Sequence, residues 1–337
     1  MYPLLHWGIV PWSMYALPSV PIAYMLYVRR YPVLRISSAC DGALPKRGRD
    51  QIKTIIDILI VLGIVGGVAT SLGLGVPLLS AMLATLFEIP DNMMIKISVL
   101  SLWTLLFGAS VYRGLKSGIK VLANINIVLA IFAILFVLIA GPGVFIMDLT
   151  VNSIGLMFNN FIRTATWTDP IQNGSFPEDW TGFYWGWWLA YTGMVGLFFG
   201  RISRGRTIRQ LVLGVICWGS LGTWMFLAVM GGYSLYLENT ETLAVSEILT
   251  NQGMSYVNAL VIKSLPFGKF TLFIFTLLSI IFYATTIDSS AYVLSSISAK
   301  NLQSGAEPKR WNRVAWAVLL ALISACLLYT SPSPRDP

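Results

Sequence analysis

Apolar residues occur along this chain in long blocks separated by short polar stretches. A helix needs about 20 consecutive apolar residues to cross a hydrocarbon core of roughly 30 Å. The blocks that meet this length predict eight transmembrane helices, over 4–28, 52–75, 95–112, 121–147, 181–200, 208–236, 268–297 and 312–330. The pattern therefore predicts an all-α polytopic membrane protein with a single transmembrane domain over residues 1–328.

Two of the polar stretches carry helical patterns of their own. The longest, about 148–180, has apolar residues at helical spacing from Ser153 to Arg163, which indicates a helix along the outer membrane surface. A second stretch, about 237–266, predicts a short amphipathic helix. Neither stretch is expected to form an independent domain.

The second block contains a glycine-rich run between Gly66 and Pro77. Glycines in a membrane helix allow close packing against a neighbour, and they also permit local unwinding where the backbone is needed for function. Both interpretations stay open from the sequence.

The composition agrees with a protein that has lipid as its solvent, because 56% of the residues are apolar and 11% are charged. The mean hydropathy is +0.71. The chain has one histidine, His6, and three widely separated cysteines, Cys40, Cys217 and Cys326. This spacing predicts neither a zinc site nor a disulfide framework, so we expect structural thiols and disfavour an enzyme based on such groups.

The net charge of +8 reflects basic residues that lie mainly in the loops on one side of the predicted membrane helices. If the first block runs from outside to inside, the inner loops hold 18 of the 23 lysine and arginine residues, and the outer loops hold mostly acidic residues. This distribution obeys the positive-inside rule, which supports both the number and the direction of the predicted helices. Nucleic-acid binding is not needed to explain the excess.

Aromatic residues are concentrated at two places. The fifth block opens with Phe183-Tyr-Trp-Gly-Trp-Trp-Leu-Ala-Tyr191. At about 100° per residue these rings project around more than one face of a helix, so some must point into the bundle. The first block contains Trp7, Trp12 and Tyr15, and the last two share a face because they are three residues apart.

Rings from two helices can form an aromatic box, whose negative faces suit a methylated ammonium group that cannot donate hydrogen bonds. The expected ligand is a choline-like, betaine-like or carnitine-like solute, or a sulfonium analogue. The alternative is that the rings form an interfacial belt and ordinary core packing. The candidate substrate-binding residues are Trp7, Trp12, Tyr15, Trp185, Trp187, Trp188 and Tyr191.

Two consecutive motifs carry a resemblance to a known family. The segment Trp180-Thr-Gly-Phe-Tyr-Trp-Gly-Trp-Trp188, followed by Gly200-Arg-Ile-Ser-Arg-Gly-Arg-Thr-Ile-Arg209, resembles the signature region of the betaine/carnitine/choline transporters. Further similarity runs through His6-Trp-Gly8, Thr70-Ser-Leu-Gly-Leu-Gly75, Gly114-Leu-Lys-Ser-Gly-Ile-Lys120 and Thr168-Asp-Pro-Ile171, so that it covers about residues 3–325.

The resemblance implies a leucine-transporter-like inverted-repeat bundle within twelve spans, with the substrate held near the membrane midplane beside discontinuous helices. It also implies a multi-pass protein of the bacterial inner membrane and a possible homotrimer. The eight blocks would correspond to the fourth to eleventh spans, so we expect an incomplete bundle. The proline-rich string at 329–337 is expected to be non-native.

The resemblance also bears on energy coupling. Adjacent hydroxyls at Thr285 and Thr286 resemble the sodium-coordinating pair of the sodium-dependent members, and no other cofactor is expected. Asn126 stands where sodium-independent exchangers have an arginine, and Val195 where they have a methionine, whereas Tyr191 matches the exchangers. Sodium symport is therefore the prediction and substrate exchange the alternative.

Two further expectations complete the sequence-based picture. A non-transporting membrane receptor or enzyme is the alternative from another functional class. The intramembrane acids Asp57 and Asp288 are not expected to be ligands. Asp57 should reach water near an inner helix end, and Asp288 should stabilise its own helix by hydrogen bonding.

Overall fold

The computed structural model describes residues 1–30, 35–113, 116–172, 174–299 and 308–330, without the side chains of residues 107, 109–120 and 122. These residues form helices and connecting turns, with no β-strand among them. The predicted all-α class is confirmed. The string expected to be non-native lies outside the described residues from 331 onward, and so does the Gly114-Leu115 part of the similarity motifs.

The described part of the chain contains fifteen α-helices and two π-helical segments. The first eight helices are α1 Tyr2–His6, α2 Ile9–Tyr27, α3 Ile36–Ala39, α4 Arg49–Phe87, α5 Met93–Arg113, α6 Lys116–Ala140, α7 Gly143–Asn159 and α8 Phe161–Ala165. The π-helical segment Pro177–Gly182 leads into α9 Phe183–Ile202, and the π-helical segment Gly214–Trp218 joins α10 Ile208–Leu213 to α11 Gly219–Asn239. The chain continues with α12 Val245–Gln252, α13 Met254–Lys263, α14 Gly268–Ser298 and α15 Arg310–Thr330.

Six stretches of the described residues are long and apolar enough to cross a membrane. They are Tyr2–Tyr27, Arg49–Phe87, Ala123–Ala140, Ile208–Asn239, Gly268–Ser298 and Arg310–Thr330. The other two predicted blocks also form helices, α5 and α9. Tryptophan, tyrosine and glycine lower the mean hydropathy of α9. In α5, the part with described side chains before residue 107, Met93–Leu106, is apolar.

Several helix ends differ from the prediction. The first block is interrupted at Trp7 and Gly8, between α1 and α2. The fourth block ends at Ala140, and α7 begins just after Pro142, a residue that has no backbone N–H with which to continue a helix. The helix expected from Ser153 therefore starts at Gly143, and the second polar stretch forms two short helices, α12 and α13.

Helix α4 runs unbroken through the glycine-rich run. A Cβ atom on Gly75 would lie 2.3 Å from the ring of Tyr283 on α14. Of the two interpretations of this run, the continuous helix supports close packing.

The chain divides into two compact units. The first unit comprises Met1–Gly67, Thr150–Leu227 and Val293–Pro308, and the second comprises Val68–Leu149, Ala228–Tyr292 and Lys309–Pro337. The second unit has an apolar core that includes the fully buried residues Ala81, Val137, Ile146, Ala259 and Leu272. Helices α5 and α15 also pack together in this unit.

In the first unit, α2 and α9 pack side by side over much of their length. Their close approach depends on Gly196 and Gly200, which lie one turn apart on α9. A Cβ atom at Gly196 would come within 2.6 Å of the Pro18 ring, and one at Gly200 within 2.5 Å of the Ile22 side chain. Small residues at this spacing bring two membrane helices into van der Waals contact.

Candidate functional site

Most of the predicted aromatic residues meet where α9 faces α2 and the interruption that precedes α2. The rings of Trp7 and Trp188 have centroids 4.8 Å apart, and those of Tyr15 and Trp188 are 5.5 Å apart. Trp12 joins the group through Tyr15 at 5.7 Å, and Trp187 joins it through Trp7 at 5.6 Å. These four contacts are edge to face, with interplanar angles from 76° to 87°. We call these rings, with Tyr191, the aromatic cluster.

Tyr191 is one of three buried rings in this cluster. Its ring is 6.3 Å from that of Trp187, and a Cβ atom on Gly67 of α4 would come within 2.9 Å of it. Tyr191, Trp188 and Tyr15 are 8%, 7% and 4% exposed. Helix α4 therefore packs closely against the cluster, because Gly67 leaves room for the ring of Tyr191.

Trp185 is placed differently from the other six candidates. Its ring makes an edge contact with His6 at 5.7 Å, and it packs against the small apolar core formed by Leu4, Leu5 and Met157. Residues two apart on a helix point to nearly opposite sides, which separates Trp185 from Trp187.

Three of the four indole N–H groups in the cluster bond to acceptors within the protein. Trp188 donates to the carbonyl of His6 at 2.8 Å, Trp187 to the carbonyl of Gly67 at 3.3 Å, and Trp12 to the hydroxyl of Thr223 at 3.4 Å. An indole has one polar hydrogen and no acceptor. For these three residues, the ring faces are therefore the part that can interact with a ligand.

Tyr184 and His6 lie near the cluster and were not among the sequence-based candidates. The ring of Tyr184 lies 5.7 Å from that of Trp7 and 6.0 Å from that of Trp187. It is three residues before Trp187 and seven before Tyr191, a helical spacing that could have identified it. His6 is buried, hydrogen-bonded to Thr181 at 3.0 Å, and has its ring 5.1 Å from that of Tyr184.

In the second unit, the two hydroxyls predicted to bind sodium lie on one turn of α14. Thr285 and Thr286 are half-buried, and both donate to the carbonyl of Phe282, at 2.8 and 3.1 Å. A hydroxyl that donates back to its helix keeps its lone pairs as acceptors. Asn126 is buried in α6, and its side-chain oxygen has no hydrogen-bond partner among the described residues.

The structure corrects both expectations about the intramembrane acids. In the first unit, Asp57 forms an ion pair with Arg35 at 3.2 Å instead of simply reaching water, and Arg35 also donates to the carbonyl of Ala299 at 2.8 Å. In the second unit, Asp288 pairs with Arg313 at 3.0 Å and so links α14 to α15. Sequence reasoning missed both pairs because each arginine is distant from its acid along the chain.

Comparison with known proteins agrees with this architecture. The sequence model described as the betaine/carnitine/choline family transporter matches residues 1–332. The chain is also 33% identical over 332 residues to the protein named Uncharacterized transporter YeaV of Escherichia coli strain K12, a match that covers 98% of this chain and 69% of the relative. The resemblance inferred from the sequence motifs is thereby confirmed. The chain belongs to the betaine/carnitine/choline transporter family, and it is accordingly a multi-pass membrane protein of a transporter class rather than an enzyme.

Proposed function

We propose that the protein carries a small quaternary-ammonium solute, of the glycine betaine, choline or carnitine class, across the bacterial inner membrane. The aromatic cluster is the proposed binding site. The observation that supports this proposal is the direction of the three indole N–H groups, which bond to protein acceptors, so that recognition of the solute would fall to the ring faces. A homotrimeric assembly stays a prediction.

The chemistry of the ligand matches the chemistry of these faces. A methylated ammonium or sulfonium group has no polar hydrogen, so it needs no acceptor and is attracted by the negative face of an aromatic ring. In an edge-to-face pair, the positive edge of one ring already contacts the negative face of the next. The methyl groups of the solute would offer the same electrostatic partner, at about 0.5–2 kcal/mol for each ring.

The direct test compares two substitutions of Trp187 in the protein expressed from its gene with any flanking sequence retained. Trp187→Leu removes the π face and should raise the Kd for the best of glycine betaine, choline and carnitine by roughly 2- to 30-fold. Trp187→Phe keeps a face and should change the Kd less. The Kd is measured by titration calorimetry and the thermal stability alongside it.

Trp218→Leu is the matched control, because this tryptophan is 74% exposed on the outside of the first unit. It should leave the Kd unchanged. An unchanged Kd in Trp187→Leu, or the same loss of thermal stability and affinity in both leucine variants, would instead favour a packing role for the cluster.

We also propose that uptake is driven by sodium. The hydroxyl oxygens of Thr285 and Thr286 are hard ligands of the kind that sodium prefers, and the neutral Asn126 leaves the position of an exchanger's arginine without a fixed positive charge. Substrate exchange is the second candidate, because Tyr191 matches the exchangers.

Uptake into proteoliposomes decides between the two mechanisms. Replacing sodium by potassium at fixed membrane potential should weaken apparent solute affinity by about 5- to 150-fold, and Thr286→Val should remove this sodium effect. Undiminished uptake in potassium would reject symport. A strict requirement for solute inside the vesicles would support exchange.

A further inference from the structure

The interruption between α1 and α2 leaves backbone carbonyls that the helices do not use. Pro11 has no N–H to offer the carbonyl of Trp7, four residues earlier. The N–H of Gly8 bonds to the carbonyl of Leu5 at 3.4 Å, and the carbonyl of Leu4 therefore loses its helical donor. Such groups within a membrane need other partners, because lipid supplies none.

Side chains from two other helices supply these partners. Trp188 on α9 donates to the carbonyl of His6 at 2.8 Å, and Trp224 on α11 donates to the carbonyl of Leu4 at 2.7 Å. The hydroxyl of Thr223, also on α11, is hydrogen-bonded to the carbonyl of Trp7. Two of the three donors thus come from α11, a helix that contributes no ring to the aromatic cluster.

The hydroxyl of Thr223 has a second link to the cluster. Its oxygen accepts the indole N–H of Trp12 at 3.4 Å. The hydroxyl can itself donate to the carbonyl of Trp7 or to the carbonyl of Gly219 at 3.0 Å. A single hydroxyl therefore contacts the side chain of one cluster residue and the backbone of another. Its removal would release both.

Trp224 fits the interruption closely. A Cβ atom on Gly8 would lie 2.4 Å from the indole nitrogen of Trp224. Glycine at this position allows the indole to approach the backbone and reach Leu4. The sequence gives no direct sign of this contact, because 216 residues separate Gly8 from Trp224.

We propose that Thr223 and Trp224 are positioning residues that fix the helix interruption and thereby orient Trp7 and Trp12 toward the solute. This inference rests on the proposed function, since it assumes that the aromatic cluster binds the solute. Misplacing a ring by about 1 Å weakens every contact that depends on its orientation. The two residues should therefore affect solute affinity without touching the solute.

The test uses substitutions that remove a single hydrogen-bond donor. Thr223→Val also keeps the shape of the side chain, whereas Trp224→Phe leaves a smaller ring. Thr223→Val and Trp224→Phe should each raise the Kd for the best-binding of glycine betaine, choline and carnitine by about tenfold, with the number of binding sites per protein unchanged. Thr223→Ser keeps the hydroxyl, and its Kd should stay within about twofold of the Kd of the unsubstituted protein. Trp218→Phe, on the exposed side of the same region, is the control for loss of an indole N–H.

A double-substitution cycle tests whether the effect passes through Trp7. In a Trp7→Phe background, Thr223→Val should add less than its full effect, because part of that effect is the orientation of the ring already replaced. Fully additive effects, or a loss of binding sites and thermal stability at unchanged Kd, would overturn the proposal in favour of a general structural role. Should Trp224→Phe give no folded protein, the comparison of Thr223→Val with Thr223→Ser decides.

The experiments distinguish failure of the positioning role from failure of the proposed solute-binding role. If Trp187→Leu weakens binding while Thr223→Val and Trp224→Phe do not, only the positioning role fails. If Trp187→Leu has no effect on the Kd, or none of the three solutes binds, the binding role of the cluster fails and this inference fails with it.

Discussion

At the scale of single residues, the cluster tryptophans use their two chemical parts for different tasks. The N–H of Trp188 is fixed to the backbone of His6, while its ring contacts Trp7 and Tyr15. A hydrogen bond of this kind holds the plane of the ring, and the plane determines where its negative face points. A phenylalanine at position 188 would keep an aromatic face, but it has no N–H with which to fix the plane of the ring.

A second residue-scale prediction concerns Cys40, which lies between α3 and α4 outside the membrane spans. Burial, and then the nearby carboxylates of Asp41 and Asp57, raise the pKa of this thiol above its ordinary value of 9.0. Because the thiolate is the reactive form, alkylation at neutral pH should be slow and should accelerate only at a pH above that value.

The measurement is the pH profile of iodoacetamide labelling in a Cys217→Ser, Cys326→Ser background. Asp57→Asn removes one of the negative charges and should shift the midpoint of the profile downward. With Asp41 and Asp57 both present, a midpoint of the labelling profile at or below pH 9.0 would contradict a raised pKa for the Cys40 thiol.

Much of the site could be predicted at this scale, and the limits have a physical cause. The density of rings and the three-residue spacing of Trp12 and Tyr15 indicated a shared face, and the two do contact each other. The directions of the indole N–H groups could not be predicted, because the acceptor of Trp188 lies 182 residues away. Trp185 shows the same limit, since local spacing does not reveal which neighbour covers a ring.

At the scale of helices, the contact between α2 and α9 places the two halves of the cluster. Gly196→Ala would put a methyl group against the rigid ring of Pro18, where its Cβ atom would be 2.6 Å away. We expect about 1–3 kcal/mol of destabilisation and a higher solute Kd, because the substitution pushes apart the helices that carry Tyr15 and Trp188.

Gly186→Ala is the matched control on the same helix, because a Cβ atom there would meet nothing within 4 Å. It should be neutral or slightly stabilising, since alanine favours a helix more than glycine does. Thermal unfolding and the solute Kd are measured for both variants. Equal behaviour of the two would contradict the proposed role of the close approach.

The sequence predicted where helices form more reliably than it predicted where a helix is interrupted. All eight apolar blocks are helical, but the interruption at Trp7 and Gly8 was not foreseen. Pro11 removes one backbone donor, yet Pro18 and Pro21 lie within an uninterrupted α2. Donors from α9 and α11 bond to the carbonyls at the interruption, and such long-range partners leave no local pattern in the sequence.

At the scale of the whole molecule, each unit combines an apolar framework with a few polar groups inside membrane helices. The first unit holds the aromatic cluster, and the second holds the hydroxyl pair on α14 and the ion pair of Asp288 with Arg313. A buried carboxylate beside a guanidinium avoids the cost of an uncompensated charge in the membrane. The sequence showed the acids but not their partners.

The all-α membrane class could be predicted because apolar block length is a direct consequence of bilayer thickness. The family could be recognised because the aromatic and arginine-rich motifs are consecutive, and the family match now extends over residues 1–332. The solute and its coupling ion depend on side-chain chemistry that block lengths do not encode. The proposals for the solute and for the coupling ion therefore rest on the aromatic cluster and on Thr285 and Thr286.

The central claim is that the cluster recognises the positive charge of a methylated ammonium group. The most direct measurement compares the Kd of choline with that of 3,3-dimethylbutan-1-ol, which has the same shape but carbon in place of the charged nitrogen. Ring faces attract a cation and have no such attraction for a neutral tert-butyl group. We predict that choline binds at least about tenfold more tightly, and that Trp187→Leu narrows this ratio. Equal or tighter binding of the neutral analogue would contradict the account.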